Sequence, residues 1–195
     1  MAVAAEKLIA IDEFFAWQQR QEKRYELVDG VPMEMMTGAS QMHDFIVTNM
    51  IAVLKDKLRG GRCHPTTADI ALRTRSRSLR RPDVTVTCEP PRGDIYEARE
   101  PRMVVEVLSP SNTGLKWNRK LNEYRRLDAL EYILFVDSEA VGVTLLTRTG
   151  TGWDDVDADR LIDVIEFPKL NCRMTLAEIY EGTGLKEETE GGQQA

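Results

Sequence analysis

Apolar residues recur at helical spacing in two early segments, then alternate or run unbroken through most of the remaining chain. Ile11 to about Gln21 reads as a short amphipathic helix beginning near Asp12, with Phe14, Phe15 and Trp17 as anchors. From Met42 to about Leu58, Phe45, Ile46, Met50, Val53, Leu54 and Leu58 repeat every three or four residues. Ser40 can cap this second helix and Gly60-Gly61 ends it, with its apolar face toward a core. Between the two, "YELVDGVPMEM" has apolar-alternating arms around Asp29-Gly30, the chemistry of a tight β-hairpin. "TTADIALRT" and "PDVTVTC" read as successive strands, the second opening on a proline as a strand edge permits. "EPPRGDIYEAREP" reads as a loop. It is followed by the strand "MVVEVLSPS", the cap-rich "SPSNTG" and a helix from Lys116 to about Leu127. Then come the strand "EYILFVDS", a hairpin over "VGVTLLTRTGTGWDDV", and a short helix "TLAEIY" capped by Thr175. This order predicts an α/β (α+β) fold, a mixed central β-sheet flanked by helices with one parallel crossover.

One position breaks the pattern. In "MVVEVL" both faces of the strand are apolar, as in a central strand covered on each side, yet Glu106 shares a face with Val104 and Leu108. A carboxylate taken out of water is normally paired, protonated or bound to a metal. A salt bridge to an arginine, or partial exposure at the strand end, is the plain explanation.

The length of 195 residues, with 42% hydrophobic and 30% charged residues, suits one soluble globular domain over 1–185 followed by a disordered acidic tail over 186–195. The amino terminus lacks the pattern of a secretory signal and no stretch approaches a membrane span, so the expected location is cytoplasmic, with no membrane partner. Cys63, Cys88 and Cys172 are scattered and odd in number; they read as core thiols, and suggest neither a disulfide framework nor a zinc site. The net charge of −6 argues mildly against a nucleic-acid partner, but its distribution is uneven. "RTRSRSLRR" carries Arg73, Arg75, Arg80 and Arg81, and "KWNRKLNEYRR" supplies a second basic run beyond Glu106. Either run alone is explained by a solvated charged face.

Asp83, at the start of "PDVTV", could converge with Glu106 if their strands are neighbours. Two carboxylates at one sheet end are what a hard divalent ion needs, the other positions going to water and substrate phosphate. Lys120, on the helix entered from "SPSNTG", could reach back to that end and steady charge on a phosphate, or it could simply share a solvated face with Glu123. Asp69 on "TADIALR" is a possible third ligand. His43, in the first turn of its helix, reads as satisfied or solvated, and Tyr124 as a packed ring with a wet tip.

At these residues the sequence resembles the Uma-type family of putative restriction endonucleases, within the PD-(D/E)XK nuclease superfamily. The likeness lies in "YELVDGVPMEM", "HDFIVTNMIAVL", "RPDVTV", "MVVEVLSPS", "RKLNEYRRL" and "EYILFVDS", in that order, over about Tyr25 to Tyr180. The resemblance implies a restriction endonuclease-like fold, with Asp83 as the aspartate of the PD element and Glu106 as the acid of (D/E)XK, both binding Mg²⁺, for which Mn²⁺ could substitute. The lysine of (D/E)XK falls at position 108, which is Leu108 here. Lys120 matches a lysine that family members carry on the helix after the SPS turn, so the catalytic lysine is expected to have migrated. Lys116 stands where relatives often have Asp, a role that Asn118 could take over. Glu26 resembles an acid lying near the metal in related nucleases.

The leading expectation is therefore a Mg²⁺-dependent endonuclease acting on DNA. Asp83 and Glu106 hold the metal, metal-bound water attacks phosphorus, Lys120 orients it, and Arg73, Arg75, Arg80 and Arg81 guide the backbone of DNA bound by a homodimer. The alternative is a silent module of the same fold that binds nucleic acid or a partner, its chemistry lost with the strand lysine. A small-molecule hydrolase lacks a visible nucleophile or base.

Overall fold

The computed structural model describes residues 8–35, 40–109 and 115–187, without the side chains of 115 and 116. The first half of the chain runs α1 (Ile11–Gln18), β1 (Tyr25–Val28), β2 (Val31–Glu34), α2 (Gln41–Lys57), β3 (His64–Thr67), β4 (Ala71–Arg75), β5 (Ser78–Arg80) and β6 (Val84–Thr87). The second half runs β7 (Glu97–Ala98), β8 (Pro101–Leu108), α3 (Leu115–Arg125), β9 (Tyr132–Asp137), β10 (Val143–Arg148), β11 (Trp153–Ala158), β12 (Val164–Phe167), β13 (Cys172–Thr175) and α4 (Leu176–Ile179).

A six-stranded mixed sheet in the order β11-β10-β9-β8-β6-β3 forms the centre, beside a five-stranded sheet β2-β1-β5-β4-β7 and the hairpin β12-β13. β8 and β9 are parallel, joined through α3, and give the predicted crossover. Period two sorts β8 between two cores. Met103, Val105 and Val107 pack with Ile46, Met50 and Leu54 of α2, whereas Val104 packs with Tyr124 of α3 on the opposite face. Each fully buried aliphatic side chain of α2 contributes about 1.5–3 kcal/mol through removal from water. α3 also bonds the five-stranded sheet, since Thr74 of β4 donates to Glu123.

Local chemistry explains the elements read correctly from the sequence. Asp29 (φ 50°) and Gly30 (φ 87°) make the left-handed pair that a two-residue hairpin turn requires. Ser40 caps α2 by accepting from the His43 amide at 3.1 Å, and Thr175 forms a capping box with Glu178.

Other expectations are corrected. "TTADIALRT" is two strands of different sheets, with Asp69 in the turn between them. The arginine-rich "RTRSRSLRR" is the β4–β5 hairpin, and the supposed loop before β8 contains β7. Cys63 and Cys88 are disulfide-bonded, because the β3–β6 register pairs His64 with Thr87 and so brings the residues just outside that pair together. Cys172 alone remains a free thiol, partly buried. Of the acidic tail, the Lys186 carbonyl accepts from Val141 and the Glu187 side chain from the Leu161 amide; residues 188–195 lie outside the described residues, as does "PSNTG" at 110–114. Among the described residues no helix is long and apolar enough to cross a membrane.

Candidate active site

β6 and β8 are antiparallel neighbours, with Val84 paired to Val105. Continuing that register by one residue sets Asp83 across from Glu106. Asp83 Oδ2 accepts from the Val107 amide at 2.8 Å, so the carboxylate lies against β8 itself. Glu106 is 3% exposed. It stays in this apolar strand because α3 brings it two donors: Lys120 Nζ lies 2.7 Å from Oε1 and 2.9 Å from Oε2, and the Tyr124 hydroxyl donates to Oε1 at 2.5 Å. Lys120 and Tyr124 are one helical turn apart, which aims both at the same strand position.

The electrostatics follow from this geometry. Burial pushes the Glu106 carboxyl up to about 7, with the Asp83 charge adding to the rise and Lys120 opposing it. Burial alone would lower the Lys120 ammonium, but Glu106 and Glu26 outweigh it and hold the group above its ordinary range. Lys120 Nζ is 3.6 Å from Glu26 Oε1, so Glu26 of the hairpin joins the cluster rather than hanging in solvent. Burial would raise Glu26, yet Lys120, Arg80 and the Arg81 amide hold it low.

Asp69 does not reach the site: its side chain is 65% exposed and pairs with Arg24 at 2.6 Å. Arg80 and Arg81 do not face solvent and cannot guide a DNA backbone as expected. Arg80 grips Glu123 (Nε at 2.8 Å, Nη2 at 2.9 Å) and Glu26 (2.9 Å). Arg81 donates to the carbonyls of Tyr25, Ala68 and Asp69 at 3.1, 3.0 and 2.7 Å. Arg73 is exposed but paired with Glu97 at 3.1 Å, and Arg75 is half-buried. Glu123 is the reverse of a solvated residue, its side chain being 0% exposed. Leu108 packs against the apolar cluster under α3, and Asn118 is exposed. The side chain of Lys116 is outside the described residues.

Two neighbours of the site carry more than their sequence context indicates. His43 Nε2 stands 3.4 Å from Asp83 Oδ2, and that contact, more than opposing burial, raises the imidazole. Tyr124 is fully buried rather than wet at its tip. A tyrosine one turn from a lysine, facing a buried strand acid, was a usable signal for the second. None existed for the first, since the approach of α2 to the end of β6 is purely tertiary.

Residues 11–176 match the model of the family Uma2, described as "Putative restriction endonuclease". The chain belongs to the Uma2 family. With that membership the chain stands, at a coarse level, among putative nucleases. Relatives of this Uma2 chain include two uncharacterized proteins of Synechocystis sp. (strain ATCC 27184 / PCC 6803 / Kazusa). One is 28% identical over 173 residues, covering 88% of this chain and 90% of that protein. The other is 26% identical over 154 residues, covering 77% and 86%. A solved structure described as a putative nuclease belonging to DUF820 from Anabaena variabilis ATCC 29413 superposes with TM-score 0.67 at 16% identity, covering 88% of this chain and 97% of that one. At that identity the likeness speaks for the fold alone, and it agrees with the restriction endonuclease-like α+β fold expected from the sequence.

Proposed function

We propose that this Uma2 chain is an endonuclease that hydrolyses DNA phosphodiester bonds with Mg²⁺ (or Mn²⁺) held by Asp83 and Glu106. The observation that carries the reading is the convergence of Asp83, Glu106 and Lys120 from three separate elements, with Lys120 Nζ 2.7 Å from Glu106 although position 108 is leucine. The residues fit a hard divalent ion. Two carboxylates come from adjacent strands, and one is raised by burial and by the other's charge, a cost that a cation relieves. Held by these two carboxylates alone, the ion would leave its other coordination positions to water and substrate, as Mg²⁺ accepts.

When bound, the ion would supply Lewis-acid polarisation of the scissile phosphate. Lys120, kept protonated between Glu106 and Glu26, is stationed to orient the attacking water or steady negative charge on the phosphate. Tyr124 fixes the Glu106 carboxylate by donating to Oε1. Arg73 and Arg75 remain as candidates for backbone contact, and a homodimer would let two such sites act on the two strands of a duplex.

The test is cleavage of plasmid and linear duplex DNA with Mg²⁺, Mn²⁺ or EDTA by the wild type, Asp83→Ala and Glu106→Ala. Metal-dependent cutting lost in both variants supports the proposal. A folded wild type that cuts in neither metal supports the silent binding module instead, with Lys120 the permanent counter-ion of Glu106.

A further inference from the structure

We propose that His43 is a positioning residue of this centre, its ring fixing the Asp83 carboxylate against β8. The inference rests on the reading of Asp83 and Glu106 as metal ligands.

Three observations carry it. Asp83 Oδ2 is held at two points, by the Val107 amide at 2.8 Å and by His43 Nε2 at 3.4 Å. Pinning one oxygen twice fixes the rotation of the carboxylate, and with it the direction of the other oxygen. The imidazole is itself largely shielded from solvent, its side chain being 16% exposed. It sits on a helix whose start is capped by Ser40 and whose buried stripe of Ile46, Met50 and Leu54 seats it on the central sheet. His43 therefore ties α2 to Asp83, the residue just before β6.

Groups that hold a ligating side chain in register commonly change metal affinity 10–100-fold when removed. The geometry accordingly predicts that His43→Ala weakens Mn²⁺ binding by about 10–100-fold. His43→Phe, which retains ring volume without a donor, should do the same, while His43→Gln, whose amide N–H can reach the same oxygen, recovers most of the affinity.

The experiment is a calorimetric or paramagnetic-resonance titration of the full chain with Mn²⁺ for the wild type, the three His43 variants and Asp83→Ala, with a thermal melt of each. If His43→Ala does not fold, His43→Phe and His43→Gln carry the comparison. Weakened binding with rescue by Gln supports the positioning role. Unchanged Mn²⁺ affinity in His43→Phe with a lowered melting temperature makes the histidine merely structural and overturns the inference alone. Wild-type binding that is absent, or indifferent to Asp83→Ala, overturns the ligand reading and this inference with it.

Discussion

Replacing Glu123 by alanine should cost about 3–5 kcal/mol of folding stability, the range for breaking a buried ion pair from one side. The side chain is wholly buried and accepts four hydrogen bonds: Thr74 Oγ1 at 2.7 Å, Arg80 Nε at 2.8 Å, Arg80 Nη2 at 2.9 Å and Arg119 Nε at 3.3 Å. Alanine removes the acceptor but leaves the Arg80 guanidinium, whose side chain is 8% exposed, with Glu26 as its one remaining carboxylate. The loss therefore comes from a stranded charge more than from a missing contact. For a chain of this length it corresponds to a melting temperature lower by roughly 6–20 °C. Urea denaturation of the wild type, Glu123→Ala, the single variants Arg80→Met and Glu123→Leu, and the double variant Arg80→Met/Glu123→Leu measures it. Removing both charges together should restore most of the stability, because apolar replacement of a buried pair is often neutral. A loss below about 1 kcal/mol in Glu123→Ala, or a double variant as unstable as the two single losses summed, would refute the argument.

Glu106 should behave oppositely to Glu123. Burial raises its folded carboxyl from the ordinary glutamate range to about 7. The folded state therefore holds the extra proton between those values, and the contribution of Glu106 to stability falls as pH rises through that window. Metal-free Glu106→Gln should lose stability less steeply than the wild type from about pH 5 to 8, and Mg²⁺ should flatten the wild-type curve alone; parallel curves in pH-dependent melts would contradict this. Tyr124→Phe deletes a buried donor to a carboxylate and should cost about 1.5–3 kcal/mol by urea denaturation. Reducing Cys63–Cys88 opens a loop of sequence separation 25 and should cost roughly 3 kcal/mol on the chain-entropy estimate. Thiol titration paired with melts in a phosphine reductant checks this, and Cys63→Ala should be insensitive to the reductant.

The parts legible in the sequence were those that local physics decides. Period two put Glu106 on the face of β8 opposite Val105, the Asp29-Gly30 turn set the hairpin, and Ser40 and Thr175 marked helix starts. What stayed hidden depends on distant partners. Arg80 looks like a surface cation until Glu123 and Glu26, 43 and 54 residues away in sequence, are folded onto it. A charge run has no direction until something covers it, so two of four proposed DNA-facing arginines proved internal. The Cys63–Cys88 bond and the His43–Asp83 contact likewise depend on strand register and helix placement that no local spacing encodes. Glu26, carried over by resemblance alone, does reach the cluster, while Asp69 belongs to a turn that the apolar pattern had smoothed into a strand.

Packing and charge at this end of β8 come from two different elements. Leu108 packs with Trp117 and Leu121 against the cluster beneath α3, while the cation facing Glu106 stands on the helix which that packing seats. A substitution that loosens the seat of α3 withdraws the ammonium from Glu106 without touching either residue.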